Sequence, residues 1–404
     1  MRKLISLLVV FLVASAFVYA QHESYIDQWS GNGNDAVVDQ MGTDQYSDID
    51  QTGNNNEADV TQDGWYNDSY IDQIGNNNDA KVEQYSWTNM SDILQTGNNN
   101  DAEVLQTGFL SGYLDSYIDQ NGNNNEADVN QGGNFGSFQY SNIDQFGNWN
   151  QADVKQRGED QWSTVRQGRL VGGNNGYAKV RQYGEDQTSY MDQDFNNNTA
   201  YLYQSGDDNW SGTYQRGNNN YLDVDQYGVY NTSVVLQGNE YAGGFRLGTG
   251  FYLGYAHNNS AEVLQDGANN NSVVSQYGNG NVAYVEQYLG GFILGGNDSW
   301  LDQSGNANDA WVGQYGFSNE SDLAQSGNNN DADVVQFWYG NDADVYQSGN
   351  WNYADIYQDG VVHEAYTTQS GNGNDAFVTQ LGGGQYSYIN QAGNNGYADV
   401  TQSP

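Results

Sequence analysis

The chain has no cysteine, one proline, three histidines and only 11 lysines and arginines in 404 residues. Without cysteine there is no disulfide framework, no thiolate metal site and no cysteine nucleophile. His22, His257 and His363 leave little for imidazole chemistry. With 51 acidic side chains the formal net charge is −40, which excludes nucleic-acid binding through a basic surface. Apolar residues make up 37% and charged residues 15%, thin for the two or three ordinary domains the length would allow. No set of acid, base and nucleophile stands out from scattered surface aspartates, so neither an enzyme nor a cofactor is expected. The chain is instead rich in Asn, Gln, Ser, Gly (51) and Tyr (33).

Long apolar runs are also scarce. The one present follows Arg2 and Lys3, from Leu4 to Ala20, and ends Val18-Tyr19-Ala20 before polar Gln21. Small residues at the two positions that a signal peptidase reads, with no charged stop-transfer flank, predict a cleaved signal peptide over residues 1–20. A mature chain from Gln21 keeps 9 basic against 51 acidic residues, a net of −42, and has no second span.

The rest is one repeat. Glutamines recur from Gln28 through Gln51, Gln73 and Gln95 to Gln325 and Gln391, opening sixteen units, and nine of the fifteen spacings are 22 residues. Each unit holds a second glutamine, 11 residues on in thirteen units: Gln62, Gln84, Gln106, Gln336 and Gln402 are examples. Stepping back from each glutamine by twos gives a branched aliphatic residue, a tiny residue and usually an asparagine. First halves read Ser47, Ile49, Gln51 and Ser69, Ile71, Gln73; second halves read Asn56, Ala58, Val60, Gln62 and Asn78, Ala80, Val82, Gln84. Strict period 2 is a strand with one face dictated. Gly53, Gly75 and Gly97 stand two past the glutamine and lead into Asn-Asn, residues that tolerate positive φ where a chain bends.

Strand, arc, strand, arc makes a coil, and stacked coils make an all-β solenoid of about sixteen two-stranded turns with two facing parallel sheets. The tiny residue is Ser in fourteen first halves, with Ala343 and Ala365 the exceptions, and Ala in fifteen second halves, with Leu222 the exception. Such uniformity fits stacking, in which every position meets its own equivalent about 4.8 Å away, giving a rod of roughly 77 Å. A buried amide without a partner costs a few kcal/mol. In a stack each Gln or Asn amide donates to its copy on one side and accepts from its copy on the other.

The pattern Gln-x-Gly-x-x-Asn-x-Ala-x-x-x-Gln of Gln51, Gly53, Asn56, Ala58 and Gln62 recurs at Gln73 to Gln84, Gln95 to Gln106 and Gln325 to Gln336. It closely resembles the curlin repeat of the curli amyloid subunits of bacterial biofilms, over nearly the whole mature chain. The resemblance implies a secreted subunit that polymerises outside the cell into adhesive matrix fibres. It also implies a dedicated outer-membrane secretion pore and a minor subunit that nucleates growth. This chain departs from the family pattern in its number of repeats, its acidity and its Asn or Gln (Asn67, Asn89, Asn209, Gln161) six before the first glutamine, where the family usually has Ser.

Outward positions carry Asp, Glu, Tyr and Thr. The column Asp27, Asp50, Asp72, Leu94, Asp119, Asp144 puts like charges one coil apart, each pair repelling by about 0.9 kcal/mol in water. Two readings fit: a gate that slows assembly until salt, divalent cations or lower pH screen it, or plain solubility of an acidic surface. Gly-Asn-Gly-Asn-Asp at Gly31 and Gly371 is similar to calcium-binding β-roll turns, but a nonapeptide period does not fit 11. Tyrosines directly after glutamines (Tyr85, Tyr183, Tyr227, Tyr277, Tyr315) are expected to stack along the strands. Glycine-rich loops interrupt the repeat near 108–115, 168–173, 238–254 and 289–296. No cap or charged plug is evident at either end of the repeat, which predicts head-to-tail self-assembly. The competing class is a monomeric solenoid adhesin that binds carbohydrate or ice; a flat Thr-x-Thr array for ice is absent.

Overall fold

The computed structural model describes residues 21–108, 112–133, 137–168, 173–238, 256–288 and 295–404. The expected signal peptide, and the middle of each expected loop, lie outside the described residues. Among those described there is no helix, and hence none long and apolar enough to cross a membrane. Among the described residues thirty-four strands form two all-parallel sheets, one of 18 and one of 16 strands. The fold is a parallel β-solenoid of about sixteen two-stranded coils.

First halves build one sheet, called here the serine sheet, and second halves the other, the alanine sheet. In the serine sheet His22–Trp29 pairs with Gln45–Asn54, which pairs with Asp68–Asn76, setting Ser24, Ser47 and Ser69 in line beside Gln28, Gln51 and Gln73. In the alanine sheet Asp35–Thr43, Glu57–Trp65 and Asp79–Trp87 align Ala36, Ala58 and Ala80 beside Gln40, Gln62 and Gln84. Two extra two-residue strands in the serine sheet, Gly173–Asn174 and Ala256–His257, resume the ladder after an insertion.

Burial alternates along most inner strands. Ile49, Val60, Ile71 and Val82 are buried and belong to one continuous apolar core. Burying each such branched side chain contributes about 1.5–3 kcal/mol. Thin as the composition is, one inward aliphatic side chain on a serine-sheet strand such as Ile49 and two on an alanine-sheet strand such as Ala58 and Val60 suffice, because every coil covers the last.

The arcs turn for two reasons. Gly53, Gly75 and Gly97 have φ of 116°, 134° and 128°, a region that disfavours L side chains. A Cβ on Gly53 would also lie 1.8 Å from the Gly75 carbonyl oxygen, so the next coil forbids any side chain there. Two residues on, Asn55, Asn77 and Asn99 are left-handed at 53° to 55°. In the arcs that follow second glutamines the left-handed residues were not the expected ones: they are Tyr66, Thr88 and Val362, at 58°, 60° and 55°.

Insertions leave the stack untouched. Across the loop near 108–115, Ser91 pairs in register with Ser116, and across 239–255, Tyr221–Val229 pairs with Ser260–Ala268. A further insertion, not among the expected loops, adds three residues to the usual 11 between Gln131 and Gln145, and Gln120 still pairs with Gln145.

Candidate functional site

The feature that sets this solenoid apart is its double column of buried amides. In the serine sheet Gln28 Nε2 donates to Gln51 Oε1 at 2.7 Å, Gln51 to Gln73 at 2.9 Å and Gln73 to Gln95 at 2.9 Å. In the alanine sheet Gln40 donates to Gln62 and Gln62 to Gln84, both at 2.8 Å, and Gln84 to Gln106 at 2.9 Å. The same bond links Gln325 to Gln347, Gln336 to Gln358, Gln369 to Gln391 and Gln380 to Gln402, each at 2.9 Å. Every one of these amides donates toward the C-terminal end.

Each Nε2 has a second proton, which crosses the core. Gln51 donates to the Asp35 carbonyl at 2.9 Å and Gln73 to the Glu57 carbonyl at 2.8 Å; from the other sheet Gln62 donates to the Tyr46 carbonyl at 2.9 Å and Gln84 to that of Asp68 at 3.0 Å. Those carbonyls lie at the start of the facing strand. The glutamines therefore bind coil to coil and sheet to sheet, a second role that the spacing alone did not reveal.

Asn56 and Asn78 are buried but do not repeat the glutamine pattern, which corrects the expectation of one ladder rule for both. Asn56 Nδ2 donates to the Gly75 carbonyl at 3.1 Å, and Asn78 N–H donates back to Asn56 Oδ1 at 3.1 Å. Asparagine is one methylene shorter and sits at the end of an arc, where backbone groups need partners. Near the other end side-chain bonds do form, Asn352 to Asn330 and Asn374 to Asn352 at 3.0 Å, but they point toward the N-terminus. A further ladder joins Asn54, Asn76, Asn98 and Asn123 on the surface, at 2.8, 2.7 and 2.8 Å. The triplet Asn-Asn-Asn was its signal in the sequence.

Ser47, Ser69, Ala58 and Ala80 are all buried, and the Oγ atoms of Ser47, Ser69, Ser91 and Ser116 have no hydrogen-bond partner among the described residues. The serines act as small space-fillers, not as a polar network.

Outside, crowded carboxylates are harder to ionise. Asp128, Asp302 and Asp333 are raised to about 6, first by burial and then by neighbouring carboxylates. Asp50 is raised by burial, then by Asp48 and Asp27. The tyrosines follow two patterns: Tyr183 and Tyr227 zigzag through Tyr203, with ring centres 5.5 and 5.2 Å apart, whereas Tyr315 stacks in single file between its register partners Tyr288 and Phe337. Tyr277 belongs to the serine sheet.

At the outer coils the ladders stop. His22–Trp29 is exposed throughout and, among the described residues, pairs only with Gln45–Asn54. Gln28 and Gln40 donate onward, yet nothing among the described residues donates to their own Oε1. At the other end Gln391 and Gln402 spend one amide proton on the Asp375 and Tyr386 carbonyls, at 2.9 Å each.

Compared with known families, residues 31–64, 53–85, 196–228, 256–288, 296–337, 340–360, 352–382 and 371–403 match the curlin associated repeat, together more than half of the chain. The chain belongs to the curlin repeat family. No curated protein matches it. Curlin repeats on a β-solenoid suggest a curli-type structural subunit, and the family is one of structural subunits, not enzymes. The matched segments skip 86–195, where insertions cluster, but the ladder runs through that stretch: Gln106 donates to Gln131 and Gln131 to Gln156, at 2.9 and 3.0 Å.

Proposed function

We propose that this curlin-repeat chain, matured to begin at Gln21, is a secreted subunit that joins end to end into extracellular amyloid-type fibres for adhesion and matrix building. The observation that carries this reading is the pair of open ladders. Among the described residues the outer coils leave carbonyl oxygens at Gln28 and Gln40 and amide protons at Gln391 and Gln402. Setting the last coil of one copy on the first coil of the next continues both columns, with Gln391 against Gln28, Ser387 against Ser24 and Gln402 against Gln40. An unpaired parallel edge of this kind recruits a further strand, and head-to-tail addition does not close. The resemblance to curli subunits implies a nucleating minor subunit and a secretion pore as further partners, and the polymer is the partner the geometry favours.

The test is electron microscopy and fibre diffraction of purified residues 21–404 after incubation. Unbranched filaments with a meridional spacing near 4.8 Å are expected. Lone rods at high concentration would overturn the reading. A pulse of labelled protein should add to filament ends, and the label should stay off the sides.

A further inference from the structure

Cations are rare in this chain and they are not scattered. Seven of the nine lysines and arginines after residue 20 fall between Lys155 and Arg216. Four of them occupy two neighbouring strands of the alanine sheet, Gln151–Glu159 and Tyr177–Glu185. Lys155 and Arg181 are direct cross-strand partners, like charges placed side by side. Arg181 takes the carboxylate of Asp153. Lys155, Arg157 and Lys179 make no ion pair among the described residues: Lys155 lies 5.9 Å from the centre of the Tyr183 ring, and the Arg157 guanidinium donates to the Asn130 carbonyl at 3.1 Å and its Oδ1 at 2.6 Å. Lys179 stands beside Asp153 in register, but Arg181 already takes that carboxylate, so four cations share one outward carboxylate and form an island in a chain with 51 acids.

The same face carries the opposite block six coils further on. From Tyr221 to Gln402 the described strands of the alanine sheet contain no lysine or arginine. There Asp309 pairs in register with Asp331, and Asp333 with Asp355, carboxylate beside carboxylate with no cation between. Burial and its acidic neighbours hold Asp333 at about 6. Both blocks repeat at the rise of the same coil, so the charges of one copy are commensurate with those of another.

We propose that two copies pair side by side and antiparallel through their alanine sheets, with the Lys155–Arg181 island of each seated on the Asp309–Asp355 block of the other. The antiparallel arrangement engages both blocks at once and is isologous, so it closes on two copies. The net charge of each rod opposes this at long range, but screening at physiological salt confines repulsion to about 8 Å while the opposed blocks are in contact. The contact uses a sheet face and not the end coils, so it is independent of end-to-end growth: subunits that fail to elongate would still pair.

The test is a charge swap. Sedimentation equilibrium of residues 21–404, at concentrations that give no filaments, should show a pair at physiological salt that dissociates as salt rises toward about 1 M. Lys155→Glu/Lys179→Glu alone, and Asp331→Lys/Asp333→Lys alone, should each weaken pairing by at least about tenfold. An equimolar mixture of the two should restore it, because each now offers the sign the other lost. In the wild type, a zero-length carbodiimide cross-link should join Lys155 or Lys179 of one copy to Asp331 or Asp333 of another. A mixture that pairs no better than its components, or cross-links confined to other faces, would overturn the proposal. Dextran sulfate bound at the island of a chain that stays single at physiological salt would also overturn it, assigning the island to an anionic polymer.

Discussion

The serine column invites a perturbation whose sign runs against intuition for a polar core. Ser47, Ser69, Ser91 and Ser116 are fully buried on adjacent coils, and their hydroxyls have no partner among the described residues. A buried hydroxyl left unbonded costs about 1–3 kcal/mol. Alanine removes that cost and only one atom of packing, and the chain already uses it at Ala343 and Ala365, both buried in the same column. Taking the low end for each site, the fourfold Ser→Ala variant should gain about 4 kcal/mol, somewhat less where adjacent coils couple. At 1.4 kcal/mol per tenfold, amide exchange from these four strands should slow by up to about a thousandfold. The guanidinium midpoint should rise, and the reverse change Ala343→Ser should lower it. Exchange that is unchanged or faster in the fourfold variant would refute the reasoning, by showing that the hydroxyls make bonds the static geometry does not contain.

Other expectations follow from the same geometry. Gln73→Ala breaks its bonds to Gln51, Gln95 and the Glu57 carbonyl and orphans buried groups on both sides, so a loss of about 3–5 kcal/mol is expected in denaturant unfolding; a loss under about 1 kcal/mol would mean the ladder is not stabilising. Trp338 takes the place that glycine holds in the neighbouring coils, at φ 80°, and Trp338→Gly should gain about 1 kcal/mol, against a null result if the strain is absent. Asp128, Asp302 and Asp333, at about 6 when folded, lie above the unfolded value near 3.9. Their contribution is therefore full below about pH 4 and is lost as pH rises through about 6. His363, whose burial lowers its pKa, works the other way, but it is one group against several. The rod should thus be more stable, and assemble with a shorter lag, at pH 5 than at pH 8. Equal midpoints and equal lags at the two values would refute this.

Much of this was legible because stacking makes sequence periodicity and spatial neighbourhood the same thing. Gln51, Gln73 and Gln95 could be placed in one column from spacing alone, as could the Ser and Ala faces and the glycine bends. What stayed hidden depends on direction and reach. The bond from Gln51 to the Asp35 carbonyl joins residues 16 apart on facing sheets, and no period announces it. The different habit of Asn56 follows from a side chain too short to behave as a glutamine. Tyr66, Thr88 and Val362 in left-handed positions break the usual residue preference: these conformations are imposed by the coils above and below, and sequence preference is outvoted. The insertion between Gln131 and Gln145 escaped because three extra residues among many glycines leave no compositional trace.

The indifference of the ladder to what lies between its rungs has a practical meaning. Gln62 reaches Gln84 across 22 residues and Gln226 reaches Gln265 across 39, yet both bonds measure 2.8 Å. An arc just past a glutamine is accordingly a docking port in the covalent chain, open to cargo of arbitrary length while the spine keeps its pitch. A fibre of such units would be a molecular ruler whose graduations can each be fitted with a different tool.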